Sequence, residues 1–241
     1  YASGNHSIYT QPVIKVENLT QYSAFDDISI KVHAGEILAI FGLIGSGQIN
    51  LTRSIFGAEP LDAGIVTVNG TQVKIRNPQD AKDAGIGFVP VDRKVRGLIM
   101  GQSVRKNTTL SNWDNVSMLS FFRQGKEKQH TANWIKNLGI RMAGGMEVPI
   151  RYLSGGNQQK TILARWLEAN VKVLILNEPT WGVDVGARSD IYDQLEELAQ
   201  QGLAVLMVSS DIQEVLTASH RILTIYRGKL TGEFTREDAT K

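Results

Sequence analysis

The run Leu153-Ser154-Gly155-Gly156-Asn157-Gln158-Gln159-Lys160 carries the most specific chemistry in the chain. Ser154 and the amides of Gly155 and Gly156 stand where a helix is expected to begin. A helix N-terminus offers unpaired N–H donors and positive potential to an anion, and phosphate is the anion such a surface suits. A Ser-Gly-Gly triplet alone is ordinary loop punctuation. Here a helix-forming stretch follows it, then the apolar strand Val173-Leu174-Ile175-Leu176 and the polar strand end Asn177-Glu178-Pro179. That combination is specific.

A second phosphate-facing element lies upstream. Gly42-Leu43-Ile44-Gly45-Ser46-Gly47-Gln48-Ile49-Asn50 has the glycine frame of a P-loop, with the apolar strand Glu36–Phe41 before it and an expected helix after. In a working P-loop the backbone amides cradle phosphates, a Lys reaches the β- and γ-phosphates, and the next Ser or Thr hydroxyl holds Mg²⁺. The frame is present, but Gln48 occupies the Lys position and Ile49 the hydroxyl position. Gln48 can donate only a neutral hydrogen bond, and charge-assisted bonds are roughly twice as strong. Ile49 cannot ligate a metal. Asn177 stands at a strand end where an Asp would help hold Mg²⁺, so it keeps the shape of that ligand without its charge. Glu178 beside it keeps the place of a carboxylate that orients or deprotonates an attacking water. The plain alternatives are an ordinary strand-to-helix connection for the glycine turn and a surface carboxylate for Glu178.

These groups require a sheet covered by helices. Residues 13–73 alternate apolar and polar positions between turns, as in Ile28-Ser29-Ile30-Lys31-Val32, which predicts antiparallel β structure. Glu36–Phe41 is a nearly continuous apolar run, the pattern of a buried parallel strand. Residues 91–148 turn polar, helix-forming and glycine-interrupted, and read as a helical insertion. The chain then alternates helix (158–169), strand (171–176), helix (187–199) and strand (203–209), with a closing hairpin over 222–230. In the second of those helices Ile191, Leu195, Leu198 and Ala199 share one face. The expected class is α/β: a mixed sheet core with an antiparallel β part and a helical part. The expected division is a linker-like segment 1–11 and one domain over 12–241. Within it, 12–90 holds the P-loop and antiparallel part, 91–150 the helical insertion, and 151–241 the C-terminal α/β part.

Composition excludes several classes. The chain has 241 residues and no cysteine, which rules out disulfide frameworks and zinc-thiolate sites. A formal net charge of +2 is too small to make nucleic acid or an anionic membrane the main partner. The basic cluster Arg93, Lys94 and Arg96 reads as a solvated loop. No apolar run approaches the roughly 18 to 20 residues that span a bilayer.

On these residues the chain resembles the nucleotide-binding domain of ABC transporters over 13–234. The signature variant ending Asn157-Gln158-Gln159-Lys160, the segment Gly182-Val183-Asp184-Val185-Gly186-Ala187 and the segment Val89-Pro90-Val91-Asp92-Arg93-Lys94 narrow this further. They are similar to monosaccharide importers of the ribose, galactose, arabinose or xylose type whose ATPase is a tandem polypeptide, and look most like its second half. The resemblance implies ATP and Mg²⁺ as ligands. Nucleotide contacts would fall to Gly42, Gly45, Ser46, Gly47, Gln48, Ile49 and Asn50 in the P-loop. Ser154, Gly155, Gly156 and Gln158 would serve at the signature, and Asp184 at the dimer interface. Tyr22 is the aromatic that would stack on adenine, with packing under the antiparallel part as its plain alternative. Glu178 and Ser210 take the catalytic positions, Ser210 where a switch His is expected. Ile49, Asn177 and Val91 take the metal-linked positions, Val91 where a polar Q-loop residue is expected.

Lys, hydroxyl, Walker B Asp, Q-loop polar residue and switch His all serve the γ-phosphate and its Mg²⁺, and all five are replaced. The expectation is a weak or inactive P-loop site, with the signature serving a partner. The implied partners are a homologous first half or second copy paired head to tail, membrane permease subunits and, indirectly, a sugar-binding protein. Nucleic acid is not among them. The implied location is the cytoplasmic face of the inner membrane, reached through the permease. A non-catalytic nucleotide-binding or structural module remains open as a second class, and a non-transport ABC ATPase as a third.

Overall fold

The computed structural model describes residues 11–112, 117–118 and 121–239; residues 1–10, most of the expected linker, lie outside the described residues. Two sheets form the scaffold. The first is four-stranded and antiparallel, in the order β2-β1-β4-β5, from β1 (Pro12–Gln21), β2 (Phe25–His33), β4 (Ala63–Val68) and β5 (Thr71–Val73). In β2 the apolar Ile28, Ile30 and Val32 are buried while Asp27, Ser29 and Lys31 are exposed, so its period of two faces one side inward.

The second sheet has six strands in the order β12-β11-β3-β10-β9-β6. Its parallel members are β3 (Ile37–Phe41), β6 (Ile86–Val89), β9 (Val173–Asn177), β10 (Ala204–Ser209) and β11 (Arg221–Tyr226), and β12 (Lys229–Thr235) closes one edge antiparallel to β11. β9 and β10 are buried at every residue because both faces are covered. Leu174, Leu176, Val205 and Met207 belong to one core; Val173, Ile175, Leu206 and Val208 belong to the other, shared with the antiparallel sheet.

Helix α1 (Gln48–Ile55) follows β3 and buries Leu51 and Ile55 in the core between the sheets, and α2 (Pro78–Asp83) precedes β6. The stretch expected as a helical insertion holds a π-turn at Arg93–Gly97, α3 (Val104–Thr109), a two-residue ladder of β7 (Ser117–Met118) with β8 (Phe121–Phe122), and α4 (Gln124–Asn137). It is therefore not helical throughout. Next come α5 (Gly155–Glu168), α6 (Val185–Gln200), α7 (Ile212–Ala218) and the short α8 (Arg236–Ala239). α5 starts one turn earlier than composition predicts, since Gly155 and Gly156 are tolerated in a first turn that Ser154 opens. α6 likewise starts at Val185 because Asp184 caps it, its side chain accepting from the Ala187 amide at 3.0 Å.

Polar ties brace the middle segment and hold it to α5. Arg105 bonds Glu127, and reaches Glu147 at 2.7 Å. Arg165 of α5 donates to the Asn107 carbonyl at 2.8 Å and to the Gly97 carbonyl, and burial lowers its pKa to about 10. Trp134 donates to Glu168 at 2.7 Å.

Candidate functional site

Strand register brings the candidate residues together. Ser209 pairs with Phe41, Val208 with Asn177, and Leu176 with Val89. The carboxyl ends of β3, β10, β9 and β6 are thus level. The Gly42 loop, Ser210, Glu178 and Val91 leave the sheet side by side, at the edge where open α/β sheets take their ligands.

The P-loop frame is conformationally intact. Gly47 has φ +98, and a Cβ there would lie 2.5 Å from the Ala24 carbonyl oxygen, so only glycine fits. It is the N-cap of α1 and supplies no side-chain cap, leaving the first amides of the helix to the loop. The side chains behave differently. Gln48 is 1% exposed, and its Nε2 donates to the carbonyls of Gly42 (3.0 Å) and Leu43 (2.8 Å), while its Oε1 is buried without a hydrogen-bond partner. Ser46 is buried, and its carbonyl accepts from the Gly228 amide at 2.9 Å. The Asn50 amide donates to Glu59 at 3.0 Å. Leu43 and Ile44 are exposed.

Ile49, Val91 and Asn177 converge on one cleft of about 410 Å³. The three positions that would serve a metal are therefore neighbours, and none offers an anionic oxygen. Asn177 is buried, and its Oδ1 accepts from the Thr52 hydroxyl at 2.9 Å. Phe56, Phe88 and Trp166 also line the cleft, with Arg53, Arg96 and one carboxylate, Asp92, whose Oδ1 accepts from the Lys94 and Val95 amides. Hard divalent cations take oxygen ligands, carboxylates above all. Ile49, Val91 and Asn177 offer such a cation no anionic ligand. Among the described residues no cluster of three or more His, Cys, Asp or Glu could hold a metal ion.

Glu178 lies at the end of β9 with φ +47, a left-handed backbone that costs a glutamate about 1 kcal/mol. Its amide donates to the Val208 carbonyl at 2.8 Å, and its Oε1 accepts from the Ser210 amide at 2.9 Å. The carboxylate is thereby aimed into a second cleft of about 400 Å³, which Ser210, Asp211 and Arg188 also line. A carboxylate unremarked in the sequence stands behind it. Glu214, buried on α7, accepts from Ser209 Oγ (2.5 Å), Thr180 Oγ1 (2.7 Å) and Tyr192 OH (3.3 Å). Burial raises its pKa, with the Glu178 charge adding to the rise, against the three hydroxyl hydrogen bonds. Nothing in the spacing of the chain singles out Glu214, because its partners come from three different elements.

At the signature, Ser154 is the N-cap of α5 but makes no capping bond; its hydroxyl accepts from Asn157 Nδ2 at 2.9 Å. Gln158 is buried, with Nε2 donating to the Leu153 carbonyl at 3.1 Å. Arg93 overturns its reading as part of a solvated cluster. It is 7% exposed, and its guanidinium donates to Gln158 Oε1 (3.3 Å), to the Gly182 carbonyl (2.7 Å) and to the Trp181 carbonyl. Lys94 and Arg96, its neighbours on the π-turn, are exposed, so only one member of the basic run is drawn inward. Tyr22 is 83% exposed in the turn between β1 and β2, which excludes packing beneath the sheet. That turn abuts the P-loop through the Ala24 contact with Gly47.

The profile of the ABC transporter family matches residues 25–181. The chain is 41% identical over 233 residues to "Ribose import ATP-binding protein RbsA" of Oceanobacillus iheyensis, a match covering 97% of this chain and 47% of that protein. It is 45% identical over 236 residues to "Ribose import ATP-binding protein RbsA 2" of Streptomyces coelicolor, covering 96% of this chain and 44% of that one. The chain thus spans about half the length of these relatives. Among solved structures, a nucleotide-free ATP-binding cassette of an ABC transporter superposes with TM-score 0.81 at 19% identity, covering 96% of both chains. A dimeric bacterial ABC transporter cassette gives 0.77 at 22% identity, covering 92% of this chain and 98% of that chain. These likenesses establish the cassette fold: a mixed sheet, an antiparallel sheet and flanking helices. Cassettes of this kind bind ATP with Mg²⁺. With its glycine frame, its signature helix and the profile match across more than half its length, the chain belongs to the ABC transporter family.

Proposed function

We propose that the chain is the second ATP-binding domain of a monosaccharide importer, whose signature serves a nucleotide held by the P-loop of a homologous first half. Its own P-loop binds nucleotide weakly. One observation carries this reading: Ile49, Val91 and Asn177 meet in a single cleft that presents no anionic oxygen from those positions. Neutralising the transferred phosphoryl group is the main catalytic burden in phosphoryl transfer. Gln48 brings no charge to it, and its donor is already spent on the carbonyls of Gly42 and Leu43. Ser210 brings only a short neutral side chain to the switch position. Glu178 remains poised to accept a proton from water, but the P-loop Lys and the metal-linked positions beside it are replaced.

The other face keeps its parts. Gly155 and Gly156 open α5 with no side chain hydrogen-bonded as a cap to their amides. Asp184 heads α6 across the Trp181–Gly182 turn. In this reading the two halves pair head to tail at the cytoplasmic face of the membrane, and closure on ATP moves the permease, which receives sugar from a binding protein. The names of the relatives support ribose as the cargo class.

The test is Mg²⁺-ATP binding and turnover on the chain alone, then with a homologous first half. Little turnover alone and full turnover with the partner is expected. Turnover alone at about 1 per second or more would overturn the weak-site assignment, since that is ordinary enzyme performance. The same substitutions favour one alternative, a purely structural partner module. It predicts that Ser154→Arg leaves the turnover of the pair unchanged, whereas signature service predicts its collapse.

A further inference from the structure

We propose that Arg93 is the positioning residue that fixes the Trp181–Asp184 loop to the start of the signature helix, so that both meet a partner as one rigid surface. The proposal rests on the signature serving a partner's nucleotide and names what holds it in shape.

The residues of that surface come from separate parts of the chain. Ser154–Gly156 open α5, whereas Asp184 follows β9 by way of an exposed turn at Trp181 and Gly182. The turn has modest anchorage of its own: Val183 is buried, and local bonds join Trp181 N to Glu178 O and Val183 N to Thr180 O, each at 3.0 Å. Arg93 supplies the link across. Its Nη atoms bind the Trp181 and Gly182 carbonyls, and its Nε binds Gln158, which holds the carbonyl of Leu153, the first residue of the signature run. One side chain thus ties three segments.

Two details show that the contact is built in. A Cβ on Gly155 would lie 2.7 Å from both Arg93 Nη2 and the Gly182 carbonyl oxygen, so glycine is what admits the guanidinium and the turn together. On the other side, Asp92 accepts from the amides of Lys94 (3.2 Å) and Val95 (3.1 Å) and sets the π-turn from which Arg93 points inward. A buried cation is tolerated only where hydrogen bonds replace its water, and a rigid planar fork serves divergent acceptors that a single ammonium cannot. The same charge stands beside the N-terminus of α5 and adds to its positive potential there.

Amide hydrogen exchange on the intact chain tests this, comparing the native protein with Arg93→Lys and Arg93→Met. Both variants are expected to exchange at least about tenfold faster at the hydrogen-bonded amides of Gln158, Trp181 and Val183, as a local opening no longer held in place does. β3, β9 and β10 should keep their protection. Unchanged protection at the two segments, or equal loosening everywhere, would overturn the proposal. A second arm measures Mg²⁺-ATP-dependent association with a homologous first half, where both variants should bind at least about tenfold more weakly. If the native chain itself does not associate, the functional reading falls, while the exchange result still decides the role of Arg93.

Discussion

The two glycine-rich helix starts of this protein, at α1 and α5, share a backbone design and differ in what surrounds it. Neither has a side chain capping the first turn. At α1 the neighbouring side chains are turned to other partners or are apolar: Gln48 bonds its own loop, Ile49 carries no polar atom and Asn177 bonds Thr52. At α5 the neighbours brace the helix start, through Arg93, Gln158 and the Gly182 turn. Chemistry carried by the backbone survives substitution as long as the glycines remain. Chemistry carried by charge disappears with a single residue change.

The contrast is broken most forcefully by restoring the charges. The combined variant Gln48→Lys, Ile49→Thr and Asn177→Asp should gain about a hundredfold in Mg²⁺-dependent ATP affinity. Hydrogen bonds to charged groups contribute about 1.5–3 kcal/mol each, and about 1.4 kcal/mol is tenfold in affinity. Calorimetric titration with and without Mg²⁺ reads this directly. No gain would mean that the loop, and not its side chains, is at fault.

Steric changes give the next largest effect. Gly155→Ala must push against Arg93 and the Gly182 carbonyl and should lose about 2 kcal/mol of stability. Gly45→Ala at φ +88 meets nothing within 4 Å and should lose only about 1 kcal/mol, the cost of a left-handed backbone. Urea melts compare the two, and equal losses would erase the distinction between a braced turn and an open one.

A pH dependence follows from Glu214. Its folded pKa is raised above the ordinary 4.5 by burial, so its contribution to stability is fully present below the unfolded pKa and is lost as pH rises through the folded value. Glu214→Gln should remove that fall, gaining on the native protein between pH 5 and pH 8 by about 1 kcal/mol for each pKa unit of the rise. Urea melts at the two pH values check the sign. The smallest effect belongs to Tyr22→Ala, which should shift stability by less than about 0.5 kcal/mol because the ring is exposed. If Tyr22 stacks on adenine, nucleotide titration will register the loss even so.

Much of the fold was legible because periodicity reports burial. The alternation in β2 and the unbroken apolar runs of β3, β9 and β10 announce one-sided and two-sided strands. The β7–β8 ladder was not legible, since two-residue strands carry too few positions to show a period. At the site, the glycine frame, Glu178 and the lost charges were visible as residue types. Arg93 was misread because its neighbours Lys94 and Arg96 make the run look uniformly basic, and only the fold turns one of the three inward. Glu214 was missed because Ser209, Thr180 and Tyr192 meet it only in space.

The sequence by itself determined which residues could act. It fixed the glycines that permit a phosphate cradle, the absence of Lys and hydroxyl from that cradle, and the family to which the pattern belongs. The tertiary structure alone decided which residues act together. The level carboxyl ends of four strands assemble one edge, and a guanidinium from a distant turn joins a loop to the start of a helix. The physical reason is range: backbone conformation and charge are local properties written residue by residue, whereas hydrogen-bond partnership and burial depend on chain segments that meet only when the core closes.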